Sequence, residues 1–316
     1  MRTILAKIKF RIKLALDALA DFGISARNAL KISRVSSEAI HVSDTSHTPP
    51  VGRGFFSFVR EVLYLISVNG EKDFFVDYRN TIYNDSSDEN MWQYCFEPVL
   101  NDRASKKIYR YFFLTKAHHN PFSELSQKYR KLFHEVWNDR IRVKKEILKK
   151  TENFYQQHLK GEKCLGVQYR GAADIFRMTY GFDKPDPHFL KYPLEGYFEK
   201  IDLLLLRGFT KIFLATDDLA SLLEFKRRFG DKLAVYSTQQ NVTKAGIRFM
   251  KTSNRRILAE EVLIDCLLLA KCDYLLCGAS NVPTVASYLN PNMPVENVDV
   301  KPLSLARKIM YKILYI

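Results

Sequence analysis

Three polar clusters follow apolar runs in the second half of the chain. Arg170 follows Cys164-Leu165-Gly166-Val167-Gln168-Tyr169, Asp217-Asp218 follows KIFLAT, and Ser280-Asn281 follows Tyr274-Leu275-Leu276-Cys277. A guanidinium is permanently charged and offers a planar fork of donors that matches a diphosphate. A carboxylate accepts from ribose or sugar hydroxyls, or from the N–H groups of a base edge. Ser280 or Asn281 suits an N-cap, and Pro283 suits the first turn of the helix that follows. Free backbone N–H groups and the positive helix end would then face an anion. Asp265 joins them from a helix whose other members include Val262, Leu263, Ile264, Leu267 and Leu268. An unpaired charge among those side chains would be costly. Together these residues could hold a nucleotide diphosphate. Each also has an ordinary structural explanation: a surface ion pair for Arg170, a helix cap for one aspartate, a common βα turn at 275–289, and a nearby Arg or Lys for Asp265.

These residues need a frame that brings them together. The spacing predicts strands at 164–169, 211–215, 233–236 and 274–277, with helices at 193–206, 219–229 and 260–270 between them. Such alternation means βα units and a parallel sheet. In an open sheet of this kind the polar strand ends gather on one edge, where ligands bind. The first half is less regular. Gly52-Arg53-Gly54-Phe55-Phe56 opens it, a helix pattern runs from Phe58 to Ile66, and a strand covers 74–78. A glycine loop entering a helix, with Gly52 and Gly54, could bind phosphate or a polar substrate on the acceptor side. Residues 81–96 read as an irregular loop, 106–115 as a strand, and 123–160 as a long helix or helix pair. Residues 51–160 would form one α/β unit, on the acceptor side, and 161–300 a second, nucleotide-binding one.

Composition narrows the classes. The 316 residues are 47% hydrophobic and carry a formal net charge of +14, which calls for an acidic partner. Nucleic acid, an anionic membrane surface and an anionic donor all qualify, but no recognition helix or aromatic platform marks a nucleic-acid binder. Five cysteines lack CxxC spacing and read as buried, reduced thiols. Seven scattered histidines show no metal-ligand spacing, and GxSxG, HExxH and GxxxxGK[ST] patterns are absent. No run is long enough to span a bilayer. Residues 1–34 carry eight Lys/Arg with apolar Ile4, Ile8, Ile12, Leu16 and Leu19 near helical spacing. This basic amphipathic segment could lie on an anionic membrane or pack on the protein itself. Residues 35–50 read as a linker, and 301–316 as a basic tail that could do either of the same two things. The expected location is cytoplasmic, with peripheral attachment at the inner face of the membrane as an option.

The chain resembles the fucosyltransferase superfamily of nodulation and core α-1,6-fucosyltransferases and protein O-fucosyltransferases. The resemblance runs from Gly52 to Asp299. It is carried by the opening GRGFFSFVREVLYLISVNGEKDFFVDYRNTIY, by Trp92 to Pro98, by Gly166 to Arg170, by Phe213 to Asp218, and by Asp265 with Leu275 to Ser280. It implies a GT-B architecture, two Rossmann-like domains facing a cleft. It implies transfer of a sugar, typically fucose, from a GDP-sugar to a glycan, lipid-linked saccharide or other hydroxyl acceptor, with inversion and without a metal or other cofactor. Carried over residue by residue, Arg170 contacts the diphosphate and assists its departure. Asp218 and Asp265, with Asp217, help hold the nucleotide, and Ser280 with Asn281 lies at the phosphates. The sequence departs from the family at Gln168, where a His is usual, and at Ala172-Ala173-Asp174, which replaces a polar stretch. Asp174 would supply the missing acid one position late, and Asp174 and Asp183 are candidate general bases. An inactive relative that only binds the nucleotide or sugar is the alternative reading.

Overall fold

The computed structural model describes residues 39–43, 54–68, 72–79, 81, 83–99, 126–170, 193–237, 255–278 and 280–298. The basic start, the 106–115 stretch, Gly52, Asp174, Asp183 and the tail lie outside the described residues.

The second half forms the expected parallel sheet. Its strands are β3 (Cys164–Tyr169), β4 (Lys211–Thr216), β5 (Leu233–Ala234), β6 (Tyr274–Cys277) and β7 (Val295–Asn297). In space they run β5-β4-β3-β6-β7, all parallel. Counted within the unit this is order 3-2-1-4-5, the Rossmann order, and the direction of winding reverses between β3 and β6. The register is Gln168 opposite both Ala215 and Cys277, and Tyr169 opposite Thr216.

Side-chain alternation divides the helices between the two faces. Leu165, Val167 and Tyr169 pack with Tyr197, Ile201, Leu222 and Phe225 from α5 (Leu194–Leu206) and α6 (Leu219–Phe229). Cys164 belongs to the other face, with α7 (Arg255–Leu269) and α8 (Asn281–Leu289). Gly166 shows why that face needs a glycine: a Cβ there would stand 3.2 Å from Cys272 and from Leu269 Cδ2. The helix therefore lies close on β3, closer than a side chain would allow.

The first half packs outside α7 and α8. It contains β1 (Ala39–Ser43), α1 (Phe55–Val68), β2 (Asp73–Asp77), α2 (Met91–Cys95), α3 (Ser126–Arg140) and α4 (Lys145–His158). Strand β1 forms inside the expected linker, pairing in parallel with β2 from Ala39↔Asp73 to Ser43↔Asp77. Helix α2 forms inside the expected loop at 81–96, where Asn90 caps it by accepting the Trp92 amide at 3.0 Å. The 123–160 segment resolves as the helix pair. One apolar cluster runs from Val42 and Phe55 through Phe133 and Leu263 to Tyr288 and Met293. It thus crosses the expected boundary at 160, and Phe133 stacks on Tyr288 with ring centroids 4.8 Å apart. All five cysteines are free and buried.

Candidate functional site

The site is built from the ends of β3, β4 and β6. The register sets Arg170, Asp217 and Gly278 one step beyond three adjacent strands, on the carboxyl edge of the sheet. Arg170 is half-buried there. The convergence expected from the sequence is present, and it falls at the switch point.

Each strand end is shaped by local bonds. Asp218 is the N-cap of α6. Its Oδ2 accepts the Ser221 amide at 3.0 Å and also the Ser221 hydroxyl. Its own amide donates to Thr216 Oγ1 at 3.3 Å. One carboxylate oxygen of Asp218 is therefore committed to the cap. Beneath it lies Tyr169, whose phenol is pushed well above the ordinary range. Burial is the main cause, a hydrogen bond with Ser221 opposes it, and the carboxylates of Asp218, Glu195 and Asp217 add to it. Tyr169 stays protonated and neutral.

Asp265 is buried on α7, at 6% exposure. The Ser237 hydroxyl, just past β5, donates to its Oδ2 at 2.6 Å. Gln168 is also 6% exposed. Its Oε1 has no hydrogen-bond partner among the described residues. Its backbone carbonyl accepts the Tyr197 hydroxyl at 3.2 Å.

Ser280 is the N-cap residue of α8, in extended backbone, but its side chain makes no capping bond. Its carbonyl accepts the Thr284 hydroxyl at 2.7 Å and the Thr284 amide at 3.4 Å. Pro283 has no amide to offer. The amides of Asn281 and Val282 thus precede the first intrahelical bond. The Asn281 side chain turns to the first half of the protein: Arg60 Nη1 on α1 donates to Asn281 Oδ1 at 2.5 Å.

Arg60 was not marked by the sequence. It lies 221 positions from Asn281, on a helix whose pattern reads only as packing. Gly54 precedes α1, and its carbonyl accepts the Ser57 amide at 2.8 Å. It has open space where a Cβ would be and no positive φ, so no crowding requires a glycine there. Among the described residues no group of three or more His, Cys, Asp or Glu could hold a metal ion. No helix among them is long and apolar enough to cross a membrane.

No protein-family model and no curated protein sequence matches the chain. Solved structures do. The chain is 14% identical to the NodZ α-1,6-fucosyltransferase soaked with GDP-fucose, over 79% of this chain and 92% of that one, with a TM-score of 0.47. A second structure, fucosyltransferase NodZ from Bradyrhizobium, is 15% identical over 86% and 96%, also at 0.47. POFUT1 in complex with GDP-fucose is 11% identical over 57% and 51%, at 0.34.

Proposed function

We propose that the chain is a glycosyltransferase that takes a sugar, fucose by preference, from a GDP-sugar to a hydroxyl acceptor. The reading places the donor on the Rossmann unit at 161–300 and the acceptor against the first half, across a cleft of the GT-B kind. It is supported by one observation above all. Arg170, Asp217-Asp218 and the start of α8 lie beyond neighbouring strands at the switch point of a 3-2-1-4-5 parallel sheet. They are also the residues that resemble the fucosyltransferase motifs.

The chemistry follows from those groups. The acceptor hydroxyl attacks the anomeric carbon from the face opposite the diphosphate. The bond from that carbon to the phosphate oxygen breaks, and its electron pair stays on the departing GDP. Charge therefore grows on the diphosphate as the sugar becomes cationic. Arg170 and the α8 amides stabilise that charge with donors already in place, without a metal. A general base receives the acceptor proton, and Asp174 is the proposed group. Asp265 and Asp218 hold the nucleotide. The acceptor is a glycan or a lipid-linked saccharide, the latter in keeping with the basic ends of the chain and an anionic membrane.

The test is a screen of GDP-sugars for transfer and hydrolysis, with calorimetry for GDP, comparing the wild type with Arg170→Ala. Removing a transition-state cation should lower kcat by about 10²–10³-fold. An undiminished rate in the variant would sink the role of Arg170. Tight GDP binding with no turnover of any donor would favour the inactive relative. No GDP binding would remove both readings.

A further inference from the structure

We propose that Arg60, on α1 and outside the Rossmann unit, binds the phosphate oxygens of the ligand at the start of α8. The inference rests on the donor reading above and adds to it a cation that comes from the first half of the protein.

Charge is the first ground. The N-terminus of a helix carries a partial positive charge, so a cation brought to it is repelled unless an anion stands between. Arg60 meets the first residue of α8 at 2.5 Å through a neutral amide oxygen. No acidic side chain stands in the first turn of that helix. Among the described residues no carboxylate pairs with Arg60, and only one of its five donors is used. Ser280 leaves the helix end uncapped. Among the described residues no carboxylate joins these two positive groups. An anion that both could donate to would do so, and a diphosphate is bulky enough to reach both.

The second ground is independent of charge. Gln168 is more than nine-tenths buried and its Oε1 has no partner. It shares the Cys164 and Gly166 face of β3, on which α7 lies, and it stands opposite Cys277, three residues before Ser280. A buried acceptor without a donor is costly, and in folded proteins such atoms are usually satisfied by a bound group. The sheet edge between β3 and β6 therefore offers an acceptor to a ligand that carries donors as well as a negative charge. A tether between α1 and α8 would explain the Arg60–Asn281 bond, but not the uncapped helix end or the open acceptor of Gln168.

The experiment is calorimetry on the full chain with GDP, guanosine and inorganic pyrophosphate, comparing the wild type, Arg60→Met and Arg60→Lys. Met keeps the aliphatic stem and its packing while removing the charge. Loss of a charge-assisted contact should weaken GDP and pyrophosphate by about tenfold or more in R60M, leave guanosine unchanged, and spare much of the affinity in R60K. Unchanged GDP and pyrophosphate affinity in R60M overturns the inference. An equal loss for guanosine and GDP also overturns it, because Arg60 is then a tether alone. If R60M does not fold, the charge-retaining R60K decides between the same outcomes through the salt dependence of GDP affinity. Wild type that binds pyrophosphate in an Arg60-dependent way, with no gain from the guanosine portion, ends the GDP-sugar reading and leaves the anion site standing.

Discussion

Acidic side chains buried on α7 do not all mean the same thing. Glu260 has ample structural reason to be there. Its side chain is 11% exposed, with Lys150 Nζ at 2.6 Å from one oxygen and Arg256 Nε at 2.9 Å from the other. Burial pushes its carboxyl upward. The hydrogen bonds and charges of Lys150 and Arg256 outweigh that, and the group is held below its usual range. Asp265 lies one turn and a half further along, where the Ser237 hydroxyl donates to it at 2.6 Å. The sign for Glu260 is fixed by linkage. A folded-state value below the unfolded one stabilises the protein above about pH 4.3, and that stability is lost as the pH falls further. Lys150 and Arg256 are themselves about half exposed, so Glu260→Gln should cost only about 1 kcal/mol at pH 7. The gap between variant and wild type should close near pH 3. Urea titrations at the two pH values measure it, and a gap that stays constant would mean the ion pairs contribute nothing. GDP affinity should be unaffected, since Glu260 faces α4 and not the strand ends.

At the scale of elements, the strand ends and helix starts were legible and the remote partners were not. Helix α6 illustrates both. Thr216-Asp217-Asp218 before an apolar helix marks an N-cap, and the cap forms at Asp218. That bond is enough to explain one aspartate without any ligand. The two explanations separate by substitution. Asp218→Ser keeps a capping oxygen and should stay within a few tenths of a kcal/mol of wild type, whereas Asp218→Ala should lose about 1 kcal/mol. If Asp218 also holds the nucleotide, both variants lose GDP affinity although only one loses stability. Retained affinity in D218S would leave Asp218 as a cap alone. The same contrast shows what periodicity can carry. Strands β3, β4 and β6 are continuous apolar runs, and the positions of Arg170, Asp217 and Ser280 follow from parallel topology. Strand β7 has only three residues, and β1 lies in a Ser- and Thr-rich stretch that ends in a Pro pair and so reads as a linker. Arg60 is a lone cation on an amphipathic helix, and its partner depends on how two distant halves pack. Likewise Ser280 occupies the cap position as its residue type predicts, but its hydroxyl does not make the cap bond.

Across the whole molecule, the division expected at residue 160 meets an apolar cluster that ignores it. Phe133, on α3, is 3% exposed and stacks on Tyr288 at the far end of α8. His134 Nδ1 lies 2.9 Å from the Tyr288 carbonyl, and Arg130 Nη1 donates to the Met293 carbonyl at 3.0 Å. The first half therefore grips α8 at both ends: Arg60 at its start, and α3 at its close. A helix held this way has its N-terminal amides fixed in direction, which is what an anion site needs. It also means that the two halves share stability. Phe133→Ala removes a large buried ring and should cost about 3–5 kcal/mol. Because the lost contacts belong to a cluster common to both halves, unfolding should move to lower urea as one transition, seen alike by tryptophan fluorescence and far-UV circular dichroism. Trp92 and Trp137 both lie in the first half, so fluorescence reports that half, while circular dichroism also follows α5, α6 and α7. If the two probes part company in the variant, with fluorescence lost first and the helical signal of the Rossmann unit unchanged, the halves are separate folding units and α3 serves only as a cover. GDP affinity gives the matching functional readout under native conditions. A shared core predicts that F133A weakens GDP binding through the loosened α8, although Phe133 touches no ligand.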